Sequence, residues 1–236
     1  MIFRVVKVLW YMFHRIWIYG WLRLIGSKGM EAQLLADFRG WSAYVLGVFG
    51  AELAVAGREH IPTVPGRRII VMSNHQSQLD IPVLTYSMDR LTGFVAKREL
   101  GRIPLLNFWM HQIGCVLIDR ADSRGAHKAL EKAALEMTDK PLVVFPEGTR
   151  SKDGKLLPFK PGGARLALLA KAIILPVLIE GTRDAVENRG DRKGRIPVRV
   201  TIFPPLDTIS MDEGKPWQLK IKDYVEQCWR TPSVPT

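Results

Sequence analysis

The sequence predicts an α/β fold: a layered domain with a largely parallel sheet flanked by helices, preceded by an N-terminal membrane-associated helical hairpin. From residue 67 onward, short apolar runs bounded by turn residues alternate with segments of helical periodicity. Alternation of this kind is typical of parallel sheets covered by helices. The first 54 residues are instead rich in apolar and aromatic side chains. We therefore expect a hairpin over residues 1–54 and an α/β domain over residues 55–236.

Composition limits the class of partner. The chain has 236 residues, 47% hydrophobic and 24% charged, which is enough for one full domain with an appendage. Its net charge of +11 indicates an anionic partner: phosphate groups, an acidic membrane surface or nucleic acid. The two cysteines, Cys115 and Cys228, fit no metal-binding spacing and predict free thiols in a reducing compartment.

The N-terminal segment is apolar but interrupted by charge, so no uncharged stretch reaches the roughly 18–20 residues of a spanning helix. On a helical wheel its polar side chains fall on one narrow face, namely Arg4, Lys7, Tyr11, His14 and Arg15. This pattern predicts a helix in the membrane interface, with its basic side towards lipid phosphates. The alternative is a basic amphipathic helix packed on the domain itself.

A second apolar segment, from Trp41 to Ala51, follows a turn at Gly26–Gly29 and is also too short to span. The two segments together predict an antiparallel hairpin dipping into one leaflet. A boundary follows near Val55–Pro65, where glycines and prolines break the periodicity. We expect a monotopic protein on the cytoplasmic face of the membrane.

The remaining elements follow in order. Strands are predicted over Arg67–Met72, Gly93–Ala96, Cys115–Ile118, Leu142–Phe145, Ile173–Ile179 and Val198–Phe203. Helices are predicted over Ile81–Met88, Arg124–Thr138, Gly163–Lys171 and Pro216–Trp229. In parallel sheets, sites gather at the carboxyl ends of strands, so the turns after Met72 and Phe145 should emerge at the same edge.

The turn after the first of these strands carries a histidine five residues before an aspartate, His75 and Asp80. Across such a turn, imidazole and carboxylate can come within hydrogen-bond reach, leaving the other ring nitrogen free to accept a proton. The alternative is an ordinary turn whose polar residues cap the next helix.

Several other chemistries lack their residues. There is no G-x-S-x-G elbow for a serine nucleophile, and Cys115 lies in an apolar strand pattern that predicts burial. A phosphate loop is not completed, because Leu156 stands where a serine or threonine is needed. Zinc and dinucleotide fingerprints are absent, so we expect neither a metal nor a bound cofactor. The remaining role for His75 and Asp80 is a base that activates a hydroxyl supplied by a substrate.

Two sequence blocks carry a family resemblance. Asn74, His75 and Asp80 match the N-H-x-x-x-x-D element of the glycerolipid acyltransferases, and Phe145–Ser151 matches their F-P-E-G-T-R-S element. Further blocks agree in order and spacing, namely Lys97–Pro104, Gly114–Arg120, Phe159–Gly162 and Leu175–Ile179. The resemblance covers residues 70–180, and is greatest to the members that acylate 1-acyl-glycerol-3-phosphate.

The resemblance implies roles for particular residues. His75 would be the general base for the acceptor hydroxyl, oriented by Asp80. The acyl donor would be a thioester of coenzyme A or acyl carrier protein. The glycerol phosphate would be held by the second block, namely by Glu147, Gly148, Thr149 and Arg150, with a second cation from Lys97 or Arg120. Backbone N–H groups near Gly148 or at the helix start would face the carbonyl oxyanion, and an apolar tunnel would hold the acyl chain.

Other functions stay open at the level of sequence. The same blocks serve acyltransferases acting on glycerol-3-phosphate, other lysophospholipids or lyso-ornithine lipids. From another class, the chain could be a non-catalytic protein that binds anionic membrane lipids, although this leaves the pairing of His75 with Asp80 unexplained. Nucleic acid is not expected as a partner, because the cations are not interleaved with exposed aromatics outside the apolar N-terminus.

Overall fold

The computed structural model describes residues 2–24, 29–119, 121–209 and 217–230. Its helices are α1 (Ile2–Leu24), α2 (Met30–Phe49), α3 (Asp80–Met88), α4 (Pro104–Gln112), α5 (Ser123–Glu136), α6 (Pro161–Leu169), α7 (Thr182–Ala185) and α8 (Trp217–Arg230). Its strands are β1 (Ala51–Ala56), β2 (Ile69–Ser73), β3 (Gly93–Lys97), β4 (Val116–Ile118), β5 (Leu142–Val144), β6 (Ile173–Glu180), β7 (Ile196–Ile202) and β8 (Leu206–Asp207). The predicted turn at residues 26–28 lies outside the described residues.

The strands form one mixed sheet in the order β1-β7-β6-β2-β5-β3-β4, with β8 paired to β6. Strand β6 is antiparallel to β7 and β8, and the other pairs are parallel. The predicted class, an α/β domain with a largely parallel sheet preceded by two packed helices, is therefore confirmed. The carboxyl ends of β5, β2 and β6 lie side by side at one edge of this sheet.

Helices cover both faces of the sheet, because the central strand is apolar on both sides. Val71 of β2 packs in a cluster with side chains of α1–α4, whereas Ile70 and Met72 pack in a second cluster with α5, α6 and α8. All three side chains are essentially inaccessible to solvent. Burial on two faces explains why β2 reads as a continuous apolar run rather than as an alternating one.

Some elements were not predicted from sequence. Strand β1 lies at the sheet edge in parallel register with β7. Five of its six residues are partly buried and Glu52 is exposed, so the sequence A-E-L-A-V-A carries a weak strand pattern. A boundary after residue 54 would cut this strand. Helix α4 has Pro104 in its first turn, a position that suits proline. No helix was predicted there from the sequence.

The two N-terminal helices pack on each other and share one apolar core with the sheet domain. The ring of Trp109 in α4 contacts both helices. Its centroid lies 6.2 Å from that of Tyr19 in α1 and 5.4 Å from that of Phe38 in α2. The prediction that Arg15 faces lipid phosphates is wrong, because its guanidinium pairs with the buried Asp37 of α2. Tyr11, placed on the same basic face, stacks on Tyr44 of α2. Buried ion pairs form between such facing positions because either charge alone would be costly to desolvate.

The outward side of α1 is apolar and exposed to solvent. Trp10, Trp17 and Trp21 are 66–70% exposed. Other exposed apolar side chains of α1 are Phe3, Val6, Leu9, Phe13 and Leu24. Lys7 and His14 are exposed next to this surface, and the ammonium of Lys7 lies 5.0 Å from the ring centroid of Phe3. Within the described ranges, no helix combines the length and the apolar character required to cross a bilayer.

Candidate active site

The buried carboxylate of Asp80 organises the site. Asp80 begins α3 with its side chain inaccessible to solvent. Its Oδ2 accepts hydrogen bonds from Nδ1 of His75 at 2.8 Å and from the backbone N–H groups of Gln76 and Ser77 at 2.7 and 2.9 Å. Its Oδ1 accepts the hydroxyl of Thr182 at 2.6 Å. Both oxygens of the carboxylate are thereby satisfied without water, which is the condition for burying a charged group.

The imidazole of His75 is fixed in its plane as well as at Nδ1. Its ring stacks on that of Phe145, with the centroids 4.0 Å apart and the planes at 15°. The side chain of His75 retains 16% exposure. No described residue is hydrogen-bonded to Nε2. Because Asp80 accepts from Nδ1, the Nδ1–H tautomer is favoured, and Nε2 carries a lone pair that a substrate hydroxyl can approach.

Glu147 connects the second loop to the backbone of the first. Its carboxylate is 2% exposed; Oε1 accepts from the N–H of His75 and Oε2 from the N–H of Leu157, each at 2.8 Å. Burial raises the pKa of this carboxyl above its ordinary value, and the two N–H donors oppose that rise. In this structure Glu147 therefore joins both loops, whereas the family resemblance implied a place for it at the glycerol phosphate.

Two further contacts fix the loop after β2. The carboxamide of Asn74 donates to the carbonyl of Ile179 in β6 and accepts from the N–H of the same residue, both at 2.8 Å. The N–H of Ser151 donates to the carbonyl of His75 at 2.8 Å. The first two residues of the loop are thus tied to β6 and to the second loop, which sets the height of His75 above the sheet.

The predicted phosphate-binding residues are distributed unevenly over this edge. Thr149 and Arg150 are exposed on the second loop, and Nη1 of Arg150 lies 3.8 Å from Oε1 of Glu187. Gly148 adopts a positive φ of 70°, which allows the chain to turn there. Lys97 ends β3, next to β5, and its ammonium pairs with Glu99 at 3.0 Å. Arg120 lies outside the described residues.

Two other cations lie beside the second loop and were not singled out from the sequence. Arg183, at the start of α7, donates from Nη1 to the carbonyl of Ser151 at 3.1 Å. The side chain of Lys160 passes close to Gly148, because a Cβ added at Gly148 would lie 2.8 Å from its Cδ. These residues and Arg150 form the basic side of the site.

Three backbone N–H groups in the two loops, close to the positions predicted to face an oxyanion, already have partners. The N–H groups of Gln76 and Ser77 donate to Asp80, and that of Gly148 donates to the carbonyl of Phe145 at 2.9 Å. In this structure, all three N–H groups are therefore engaged with protein acceptors rather than directed at a substrate oxygen.

An apolar cavity of about 220 Å³ lies between α1, α2, α4 and the sheet. Its lining includes Met12, Trp41, Ile81 and Phe94. Ile81 directly follows Asp80 in α3, and the ring of Phe94 stacks at 6.5 Å on Phe145, the ring that covers His75. Residues that line the cavity therefore neighbour both Asp80 and the ring that covers His75.

Neither of two alternative chemistries finds support at this site. Burial raises the pKa of the Cys115 thiol to about 12, so it stays protonated and is a poor nucleophile at neutral pH. In the part of the chain that the structure describes, no three His, Cys, Asp or Glu side chains are grouped closely enough to hold a metal ion.

Comparison with known proteins identifies the family. The family described as acyltransferase matches residues 52–180, a range that includes both loops of the site. The chain belongs to this acyltransferase family. The range begins in β1 and ends with β6, so the match covers the strands that carry His75, Asp80 and Arg150.

Named relatives resemble this chain over most of its length. The 1-acyl-sn-glycerol-3-phosphate acyltransferase of Limnanthes douglasii is 35% identical over 185 residues, and the alpha form of Ovis aries is 32% identical over 188 residues. Each match covers 77% of this chain, which spans 62–63% of the relative's own length. The crystal structure of the 1-acyl-sn-glycerophosphate acyltransferase PlsC from Thermotoga maritima superposes with a TM-score of 0.72 at 25% identity, covering 98% of this chain and all of that one.

Sequence reasoning identified some residues of this candidate site and missed others. It paired His75 with Asp80, as the structure does, and it placed Phe145–Ser151 at the same sheet edge. It missed Thr182, although a polar residue directly after a buried strand at this edge was an available signal. The stacking of Phe145 on His75 had no signal in the sequence, because it depends on the spacing of β2 and β5.

We expect Glu147→Gln to impair the site although the change is nearly isosteric. Both partners of Glu147 are N–H donors, so the amide would direct its own NH₂ at one of them. Leaving that buried donor unsatisfied costs about 1–3 kcal/mol. The thermal midpoint of unfolding and the turnover number should both fall. Glu131→Gln, an exposed carboxylate paired with His127 and Arg165, is the matched control. A Glu147→Gln protein with the midpoint and turnover of the wild type would contradict the positioning role.

Proposed function

We propose that this chain transfers a fatty acyl group from an acyl thioester to the free sn-2 hydroxyl of 1-acyl-glycerol-3-phosphate, making phosphatidic acid. The observation that carries the proposal is the hydrogen bond of 2.8 Å between Nδ1 of His75 and the buried Asp80, which leaves Nε2 on the open side of the ring. A base in this state, without a nucleophile of its own, suits a reaction whose alcohol comes with the substrate.

The reaction would proceed by direct transfer. The acceptor hydroxyl gives its proton to Nε2 of His75 while its oxygen forms a bond to the thioester carbonyl carbon. The C–S bond then breaks, and the thiolate of coenzyme A or acyl carrier protein takes the proton from the imidazolium. Asp80 keeps the imidazole in the reactive tautomer and stabilises the transient positive charge. No other cofactor enters the cycle.

The acceptor phosphate would bind on the basic side of the site. Arg150 offers a planar fork of donors that matches a phosphate, and its partner Glu187 is 3.8 Å away, so the ion pair is loose enough to exchange. Lys97 and Arg120 remain candidates for a second cation, and Arg183 and Lys160 join them because they border the same loop. The net charge of +11 favours this substrate and anionic lipids in general.

The acyl chain would occupy the apolar cavity beside the site. The cavity is lined by the N-terminal helices, by Ile81, which directly follows Asp80, and by Phe94, which stacks on Phe145. A fatty chain placed there would present its carbonyl towards His75. Its length limit would depend on how far the cavity extends between α1 and α2.

The hairpin of α1 and α2 would hold the enzyme in one leaflet. The exposed tryptophans of α1 form an apolar surface of the kind that inserts at the acyl boundary, next to the exposed Lys7. The free thiols of Cys115 and Cys228 suit a reducing compartment, hence the cytoplasmic face. The lipid substrate would then reach His75 without leaving the membrane surface.

The proposal predicts that His75→Ala lowers turnover by roughly 10²- to 10⁴-fold, the usual contribution of a general base. The assay is thiol release from an acyl thioester, with a panel of acceptors: 1-acyl-glycerol-3-phosphate, glycerol-3-phosphate, other lysophospholipids and a lyso-ornithine lipid. The wild type should prefer the first. His127→Ala, an exposed histidine on α5, is the control. Wild-type membrane binding without thioester consumption for any acceptor would favour a lipid-binding protein instead.

A second prediction concerns Arg150. Arg150→Ala should raise the KM for 1-acyl-glycerol-3-phosphate by roughly tenfold or more, because a charge-assisted contact worth about 1.5–3 kcal/mol is lost. The KM for the thioester should stay near that of the wild type. Arg165→Ala, which removes an exposed arginine paired with Glu131, is the control. An effect confined to the thioester would rule out phosphate binding by Arg150.

A third prediction concerns the surface of α1. Replacing Trp10, Trp17 and Trp21 together by alanine should weaken binding to vesicles of phosphatidylglycerol by roughly tenfold or more, through lost apolar burial. The remaining binding should weaken further as salt is added. The matched control replaces exposed leucines of the sheet domain, namely Leu135, Leu169 and Leu219. Equal vesicle binding by both triple variants would exclude α1 as the membrane-facing surface.

A further inference from the structure

The residue at the start of α7 lies in contact with the catalytic carboxylate but belongs to neither of the two recognised sequence blocks. Thr182 is inaccessible to solvent, and its Oγ1 lies 2.6 Å from Oδ1 of Asp80. A carboxylate can only accept, so the threonine hydroxyl is the donor. Of the described residues, Thr182 alone donates to Oδ1, whereas Oδ2 has three donors.

The backbone before Thr182 is built for this contact. Strand β6 ends at Glu180, and Gly181 has a φ of 84°. A Cβ at position 181 would lie 2.2 Å from the carbonyl oxygen of Pro197 in β7, so this turn accepts only glycine. The tight turn brings the next residue back over the end of the sheet. The hydroxyl of Thr182 therefore meets Asp80 across a sequence separation of 102 residues.

We propose that Thr182 is a positioning residue for the proposed acyl transfer, acting through Asp80 on the orientation and tautomer of His75. The inference rests on the function proposed for the catalytic pair. With Oδ1 held by the hydroxyl, the carboxylate cannot rotate, and Oδ2 stays directed at Nδ1 of His75. The same hydrogen bond stabilises the negative charge of the carboxylate. That charge faces the imidazolium that forms when His75 takes the acceptor proton.

Loss of the hydroxyl has a distinct kinetic signature. Thr182→Val keeps the shape of the side chain but removes the donor, leaving Oδ1 of Asp80 buried and unsatisfied. Because Thr182 itself lies beneath Asp80 and touches neither substrate in this arrangement, the effect should appear in kcat and spare both KM values. A hydrogen bond to a charged group is worth enough that its loss should lower kcat roughly 10- to 100-fold.

The experiment compares Thr182→Val and Thr182→Ser with the wild type, using thiol release in the presence of 1-acyl-glycerol-3-phosphate. The serine variant retains the hydroxyl and should keep kcat within about threefold of the wild type. The control is Thr208→Val: Thr208 is a buried threonine far from the catalytic pair along the sheet, and its hydroxyl donates to the carbonyl of Ala172 at 2.8 Å. It should lower the thermal midpoint without lowering kcat.

Each outcome separates the two proposals. An inactive wild type would refute the proposed function, whatever the variants do. An active wild type with Thr182→Val at the same kcat, or with a change confined to KM, would overturn the role of Thr182. If Thr182→Val does not fold, Thr182→Ala and Thr182→Ser decide: loss of kcat in the alanine variant, with retention in the serine variant, supports the role, and equal kcat in both overturns it.

Discussion

The hydrogen bonds to the Asp80 carboxylate hold together segments that are far apart in the chain. Imidazole, two backbone N–H groups and a threonine hydroxyl converge on it, and they come from the loop after β2 and from the turn after β6. A buried carboxylate with fewer donors would be costly in free energy. The hydroxyl of Thr182 reaches Asp80 only when β6 has paired with β2. The hydrogen bonds around His75 and Asp80 are therefore complete only in the assembled sheet.

The two recognised loops have different tasks. The loop after β2 carries His75 and Asp80, whereas the loop after β5 supplies the ring of Phe145, the brace of Glu147 and the exposed Arg150. The two loops meet because β2 and β5 are neighbouring parallel strands. The hydrogen bond between Glu147 and the backbone of His75 thus joins residues that are 72 positions apart in the sequence. Carboxyl ends of adjacent parallel strands are where such sites form in α/β sheets.

The accuracy of sequence reasoning depended on whether each feature was local. The α/β class, most strands and the pairing of His75 with Asp80 follow from apolar runs and from one short turn, so they were predictable. The role of Glu147 was not, because a carboxylate that binds two backbone N–H groups has the same sequence signature as one that binds a ligand. Arg15 was expected to face lipid because a helical wheel gives the face of a side chain but not the neighbour that covers it. The partly buried edge strand β1 had too weak a strand pattern to be predicted from the sequence.

The shared core of the N-terminal helices with the sheet has a practical consequence for purifying the protein. The rings of Tyr19 and Phe38 contact that of Trp109 in α4, and Arg15 of α1 pairs with Asp37 of α2. These helices are thus part of the globule rather than a detachable tether. A shortened chain lacking them would lose part of the wall of the apolar cavity and expose the sheet face that they cover, so the first fifty residues should be retained when the protein is purified.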